Sequence, residues 1–179
     1  MNRVIYSSNT VLVSTAPAAA SHTGLFDLKL IDRVQTAQAS FTTQVKRFKQ
    51  IGFDGFLLDN FYAPPKISFD LTYYNSDTSN EAALGLNVNG ECLFKNQAVT
   101  GKDINIFLLS DAVGGKDFSS LTNFTGSNVF GIGNALITSY SISAGLGNMP
   151  TTQLSFEANN IVFDTFTGNN SVPALTYSG

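Results

Sequence analysis

The sequence has one cysteine, Cys92, and one histidine, His22, among its 179 residues. A single cysteine cannot form an intrachain disulfide, which excludes the small secreted scaffolds that disulfides hold together. A single histidine excludes metal sites built from several imidazoles and leaves a Ser-His-Asp triad with one possible base. Because His22 lies in the small, polar segment Ala-Ser-His-Thr-Gly, we interpret it as a loop residue, and Cys92 as a buried apolar side chain.

Charged residues are also scarce. They make up 13% of the chain, against about 25% in typical soluble domains. The formal net charge is −3, and no basic run is longer than Lys46-Arg47, which argues against specific nucleic-acid binding. Mild acidity is compatible with a channel wall that repels DNA.

Long apolar runs are missing as well. No run approaches the roughly 20 residues that a membrane-spanning helix needs, and the start Met1-Asn2-Arg3 is not followed by an apolar signal-peptide segment. We therefore expect no membrane partner and a soluble protein made in the cytoplasm.

No motif for catalysis or cofactor binding is present. The segment Gly131-Ile132-Gly133 lacks the third glycine and the following helix of a nucleotide-binding loop. The run Asn75–Glu81 has only part of the oxygen spacing of a calcium loop. Possible acid pairs are scattered and are interpreted as solvated strand and turn positions: Asp54, Asp59, Asp70, Glu81 and Asp103. We predict no enzyme, no catalytic, cofactor-binding or metal-binding residues, and no cofactor.

The dominant pattern in the sequence is the alternation of apolar and polar residues. Lys66–Tyr74 has Ile67, Phe69, Leu71 and Tyr73 on one parity, which predicts a strand with one buried face. The same period runs through Leu25–Phe48, and Asp103–Leu109 reads as a buried strand. Asn128–Gly145, the turn Gly147–Pro150 and the alternation that resumes at Leu154 predict a long hairpin.

Two segments interrupt this pattern. Asn80–Gly85 predicts a short helical turn with Ser79 or Asn80 as N-cap. Pro64 and Pro65 cannot donate backbone hydrogen bonds and are not expected inside a central strand ladder. The predicted fold is all-β with minor α, a β-sandwich or barrel with long hairpins and one short helix. The predicted organisation is an N-terminal arm over 1–24, the β-domain over 25–164 and a C-terminal tail over 165–179.

Several stretches carry a family resemblance. They are Leu30-Ile-Asp-Arg-Val-Gln35, Lys46–Gly52, Ala63–Tyr74 with Asn80-Glu81 and Leu84-Gly-Leu86, and Leu136–Glu157. Their order resembles bacteriophage tail structural proteins, especially tail tube and baseplate-proximal subunits. The resemblance implies a subunit of stacked rings, typically sixfold (a hexamer), whose long strands line the DNA channel, and it supplies no catalytic residues.

The expected function is therefore a ring-forming tail tube protein of a phage virion, assembled in the host cytoplasm. Asp32–Lys46 and Gly133–Gln153 are expected among the ring and lumen strands. Contacts between rings are expected either from 1–24 together with 165–179 or from the insertion 75–101. The alternatives are a capsid decoration, neck or baseplate protein, or a carbohydrate- or receptor-binding β-sandwich. The last is favoured by fifteen Phe and six Tyr, since an aromatic row on a strand face can bind sugars.

Overall fold

The computed structural model describes residues 9–15, 22–23, 28–49, 56–86, 88–89, 104–111, 126–165 and 171–172. Cys92, Asp54 and Asp103 lie outside these residues. The described elements are ten strands and one helix: β1 Asn9–Ser14, β2 His22–Thr23, β3 Lys29–Leu30, β4 Val34–Lys49, β5 Phe56–Tyr74, α1 Ser79–Ala83, β6 Ile104–Asp111, β7 Ser127–Ser143, β8 Thr151–Ala158, β9 Asn160–Thr165 and β10 Ser171–Val172.

All described strand pairs are antiparallel. The main sheet has the order β3-β1-β6-β7-β8-β5-β4, with β9 also pairing with β7, and β10 and β2 form a separate pair. The predicted fold class, all-β with one short helix, is confirmed. The predicted hairpin is the pair β7 and β8, and the predicted strand Lys66–Tyr74 is the second half of β5.

Strand β7 belongs to two layers. Its residues 136–143 pair with β8, while 128–133 pair with β9 on that side and 127–135 pair with β6 on the other. We call β4, β5, β8 and residues 136–143 of β7 the four-strand wall. The outer layer consists of β3, β1, β6, β9 and the first half of β7. One continuous strand therefore joins the two layers.

The core lies between these layers. Tyr73, Phe69 and Phe156 from the wall and Ile104 and Ile106 from the outer layer are almost fully buried in one cluster. The rings of Phe69 and Phe156 face each other across β5 and β8, with centroids 5.7 Å apart. Burying each such side chain contributes about 1.5–3 kcal/mol, so this face of the wall is fixed against the outer layer.

Helix α1 covers part of the same core with Ala83. Neither predicted N-cap is correct: the capping residue is Thr78, without a side-chain cap. The backbone N–H of Ser79 donates to Asp77 Oδ1 (3.0 Å) instead. Gly85 ends the helical turn with φ of +75°, and a Cβ there would lie 2.9 Å from Thr15 Cγ2, so this position requires glycine.

The two prolines lie inside a continuous strand but outside its central ladder. Pro64 and Pro65 lie within β5, which is continuous from Phe56 to Tyr74. They are tolerated because β8 pairs only with residues 67–74 of β5, and because the register with β4 shifts opposite them, between Thr42 and Gln44. Proline is accommodated at such one-sided and irregular positions.

Strand β1 lies within the segment 1–24 that is predicted to be an N-terminal arm. It pairs with β3 on one side and β6 on the other, and Val11, Leu12 and Val13 are buried. Residues 9–14 are therefore integral to the outer layer. The rest of the proposed boundaries, at 25 and 165, stays a prediction.

Candidate assembly surfaces

Two strand edges of the four-strand wall have no second neighbour in the described part of the chain, and we call them its open edges. Within the described residues, β4 pairs only with β5, and residues 136–143 of β7 pair only with β8. Each edge presents a row of backbone groups that another strand can satisfy. Both edges belong to the regions that the sequence placed among the ring and lumen strands.

The exposed backbone groups of the two edges match. The N–H of Tyr74 donates to Arg33 O (3.1 Å), toward β4, and the N–H of Asn75 donates to Pro150 O (2.8 Å), toward β8. Because backbone groups alternate along a strand, those of Tyr73 point toward β8. The paired rows then place the N–H and C=O groups of Ala39 on β4, and of Tyr140 and Ile142 on β7, at the open edges. The side chains of all three residues lie on the same face of the wall as that of the buried Tyr73.

Apolar side chains sit at both open edges on this buried face. Phe41 on β4 is 62% exposed, and Val45 beyond it is 45% exposed. On the opposite edge Ile142 is 54% exposed beside the half-buried Tyr140. These side chains continue the apolar face of the wall up to its open edges, where nothing in the described chain covers them.

The other face of the wall is polar. It carries Ser, Thr and Gln with few charges: Thr36, Gln38, Ser40, Thr42, Lys66, Ser68, Asp70, Thr72, Ser139, Ser141, Ser143, Gln153, Ser155 and Glu157. The exposed Leu136, opposite Glu157, is an apolar exception. The hydroxyls of Ser40 and Ser68 are 2.7 Å apart, and Ser155 Oγ donates to Asp70 Oδ1 (2.6 Å). The polar face is thus a hydroxyl-rich surface with cross-strand hydrogen bonds.

The described charged side chains of the polar face are few. Lys66 Nζ lies 2.6 Å from Glu157 Oε1, in an exposed ion pair. Asp70 has no described cation beside it. The described charged side chains of this face are thus one Lys and two acids, a net charge of −1.

A buried carboxylate lies behind the β7 edge. Glu81 on α1 is 3% exposed, and its Oε1 accepts hydrogen bonds from the hydroxyls of Tyr73 (2.7 Å) and Tyr140 (3.1 Å). Its Oε2 has no hydrogen-bond partner among the described residues. The cluster ties α1 to β5 and to the edge strand β7. Its hydrogen bonds depend on neutral tyrosines, and burial followed by the Glu81 hydrogen bond raises the pKa of Tyr73.

Alkaline pH is expected to destabilise the fold through this cluster. The folded pKa of Tyr73 lies above its unfolded value of about 10, so the folded chain holds the proton more tightly. The contribution of Tyr73 to the free energy of unfolding is then fully present below pH about 10. It is lost as the pH rises above that value, by at most about 1.4 kcal/mol per pH unit for one group. Burial also raises the pKa of Tyr140. Urea unfolding at pH about 8 to 11 measures the slope, which Tyr73→Phe should reduce. Equal slopes in the variant and the parent would contradict this assignment.

A polar clasp fixes α1 to the start of β4. Asn80 Nδ2 donates to Asp32 O and Asn80 Oδ1 accepts from the Asp32 N–H, both at 2.9 Å. Arg33 Nη2 lies 2.9 Å from Asp77 Oδ2. Arg33 has φ of +59°, a left-handed conformation that costs energy in a residue other than glycine. Asp32, Arg33 and Asn80 come from two of the stretches that carried the family resemblance, Leu30–Gln35 and Asn80-Glu81, whereas Asp77 lies outside them.

The other sequence candidates are not brought together. Gly131 and Gly133 lie inside β7, paired with β6 and β9, and not in a phosphate loop. His22 lies in β2. Asp70 is exposed on the polar face, whereas Glu81 is buried and contradicts the interpretation of a solvated position. No group of three or more potential metal ligands occurs in the described part of the chain. No helix within it is long and apolar enough to cross a membrane.

Comparison with known proteins finds matches in structure but none in sequence. No protein family and no curated protein matches the sequence. A solved structure of the SPP1 tail tube does match the fold, with a TM-score of 0.60 and 14% identity over 93% of this chain and 82% of that chain. The chain has the tail-tube fold. The resemblance that the sequence indicated is confirmed at the level of fold.

The tail-tube fold recurs in contractile injection systems. The tube-terminating cap of the anti-feeding prophage matches with a TM-score of 0.56 and 8% identity, over 92% of this chain and 93% of that chain. A PVC sheath-tube complex in the extended state matches with a TM-score of 0.52 and 11% identity, over 91% and 92%. The matches extend over nearly the whole chain, including both the wall and the outer layer.

Proposed function

We propose that the protein is a structural subunit of a phage tail tube, and that copies join through the open edges of the four-strand wall into a closed ring. The observation that best supports this proposal is the match between the β4 edge and the β7 edge of the wall. Both present backbone groups from residues of the same face, and both carry exposed apolar side chains on that face. Pairing them satisfies the backbone and covers Phe41 and Ile142 together.

The strand count supports closure. The wall has four strands in antiparallel alternation, so β4 runs opposite to β7. In a ring of identically oriented subunits, the β7 edge of one copy therefore meets the β4 edge of the next as an antiparallel neighbour. Antiparallel alternation continues across every interface, and the ring is a β-barrel without open edges.

The position of the outer layer determines which face of the wall lines the lumen of the ring. Since the outer layer packs on the apolar face of the wall, the apolar face points away from the barrel axis. The polar face then lines the lumen. A ring of six copies has 24 wall strands; at about 4.8 Å between strands and a tilt of about 35–45°, its backbone diameter is roughly 45–52 Å. Side chains reduce the bore to roughly 35–42 Å, wide enough for duplex DNA.

The lumen surface suits passage of DNA rather than binding. On the described part of this face, hydroxyls bonded across strands to one another and to Asp70 offer few groups to phosphates, and its described net charge of −1 repels them. No catalytic group is needed for this role. A tube subunit functions in the virion after assembly in the host cytoplasm.

Negative-stain electron microscopy of the purified protein, with light scattering, tests the proposal. We expect sixfold rings or stacked tubes with a central hole of roughly 35–42 Å. A monodisperse monomer at all concentrations would overturn the proposal, and isolated rings of another symmetry would overturn the sixfold ring. The sugar-binding alternative is not favoured, because Phe69, Tyr73 and Phe156 are in the core and not on a strand face open to ligands.

A further inference from the structure

The register of the joint between subunits can be derived from the rows of the wall. One row runs across all four strands: Val34 pairs with Tyr73, Tyr73 with Thr152, and Thr152 with Ile142. A ring without any shift would place Ile142 beside Val34 of the next copy. Barrel strands are tilted, however, so the row must climb or descend between one copy and the next.

The size of the shift does not depend on the number of copies. For a tilt of about 35–45°, a strand spacing of about 4.8 Å and a rise of about 3.3 Å per residue, four strands accumulate a shift of about four to six residues. Only an even shift keeps apolar residues on one face. The shift is therefore four or six positions.

The direction of the shift follows from chirality. The backbone groups of Tyr73 point toward β8 while its side chain points to the buried face. For L-amino acids, the direction of the chain and of the side chain together fix the side to which the backbone groups point. When the wall is viewed from the buried face with β4 running upward, β5, β8 and β7 therefore lie successively to the left of β4. Sheet twist has a fixed hand, which makes barrel strands coil right-handed around the axis. A row of paired residues followed to the left therefore moves along the barrel axis in the direction in which β4 runs. It meets β4 of the next copy beyond Val34, toward Phe41.

We infer that Phe41 of one copy packs against Tyr140 and Ile142 of the next, an inference that rests on the proposed ring. Phe69 and Ile67, four and six residues before Tyr73 on β5, pair with Ala39 and Phe41. A shift of four places Ala39 opposite Ile142 and Phe41 opposite Tyr140. A shift of six places Phe41 opposite Ile142. In both cases the exposed Phe41 ring covers the same two side chains.

This contact has a second consequence. Tyr140 donates to the buried Glu81, so the neighbour's Phe41 closes over the hydroxyl cluster from the open edge. Helix α1, which carries Glu81, is thereby sensitive to whether the joint is made. Tyr140, which helps to hold α1 in the isolated subunit through Glu81, is also part of the floor of the contact in the ring.

Disulfide trapping tests the register. In a Cys92→Ser background, the pairs Ala39→Cys/Ile142→Cys and Phe41→Cys/Ile142→Cys report shifts of four and six. Val34→Cys/Ile142→Cys reports the unshifted register and is the matched control, and Ile142→Cys alone controls for random oxidation. Within one copy these positions are three strands, or about 14 Å, apart, too far for a disulfide. Every crosslink in these pairs is therefore between copies.

We expect assembled rings of one shifted pair to give a ladder of covalent multimers on oxidation, at least about fivefold more than the control pair. A ladder in the Val34 pair instead, or rings that form in the microscope but crosslink in no pair, overturns the register and leaves the proposed function standing. Parent protein that forms no rings overturns both.

Discussion

Replacing Phe41 by Asp is expected to abolish ring formation while leaving the subunit folded. The side chain is 62% exposed in the isolated chain, so the change removes little from the core. At the proposed joint it removes an aromatic ring worth about 3 kcal/mol of burial and adds a charge that must be desolvated. The loss is at least about a hundredfold in affinity at each joint. Light scattering and negative-stain microscopy measure the outcome.

The chain offers a matched control at Phe163. This residue is 71% exposed on β9, in the outer layer, where its ring lies 4.7 Å from that of Phe130. Phe163→Asp makes the same chemical change on a surface of similar exposure outside the wall. We expect rings from this variant at parent concentrations. Equal assembly of the two variants would show that the β4 edge is not the joint.

Arginine on the polar face is expected to convert the ring into a DNA-binding ring. The described face carries −1 per copy, which is −6 for six copies. Ser139→Arg with Gln153→Arg adds +2 per copy, or +12, and changes the described total to +6. Both side chains are exposed on this face. If about six phosphates are neutralised, affinity should fall by about a thousandfold between 50 and 200 mM salt.

Fluorescence anisotropy with a linear duplex at several salt concentrations measures this binding. Parent rings should show none at about 100 mM salt, as expected for a surface that repels DNA. Thr165→Arg, exposed on β9 outside the wall, adds positive charge to the outer layer and should not reproduce the effect. Tight binding by the parent, or equal binding by the control, would show that the polar face does not line an accessible channel.

Local pattern predicted much of this fold. The alternation of Ile67, Phe69, Leu71 and Tyr73 gave both the strand and its buried face, since side chains two apart share one side of a strand. The turn at Gly147–Pro150 gave the hairpin of β7 and β8. The run Asn80–Gly85 gave the short helix to within a residue or two at each end.

Tertiary context decided the positions that local pattern left open. Pro64 and Pro65 are excluded from a central ladder, yet β5 is continuous through them because it has one described neighbour there. Residues 9–14 lie in the predicted arm, yet β1 pairs on both sides. The burial of Glu81 depends on Tyr140, 59 residues away, as well as on the nearby Tyr73.

The assembly surfaces were predictable only as regions. Periodicity indicates which residues share a face, and it identified the strands around Gln35 and Tyr140. An open edge is defined by the absence of a neighbour, which requires the order of all the strands. The likeness to a solved tail tube, tube cap and sheath-tube complex at 14% identity or less shows how widely side chains can vary while the fold is kept.

In the proposed tube, the continuity of β7 couples the inside to the outside. Residues 136–143 stand at the proposed joint between copies, while residues 127–135 are held between β6 and β9. A twist or stretch applied at one joint is carried by covalent bonds directly into the outer layer, rather than across a slipping interface of side chains. The wall and the outer layer of a subunit must therefore deform together, and in the proposed tube this makes each subunit a stiff element of a rigid conduit.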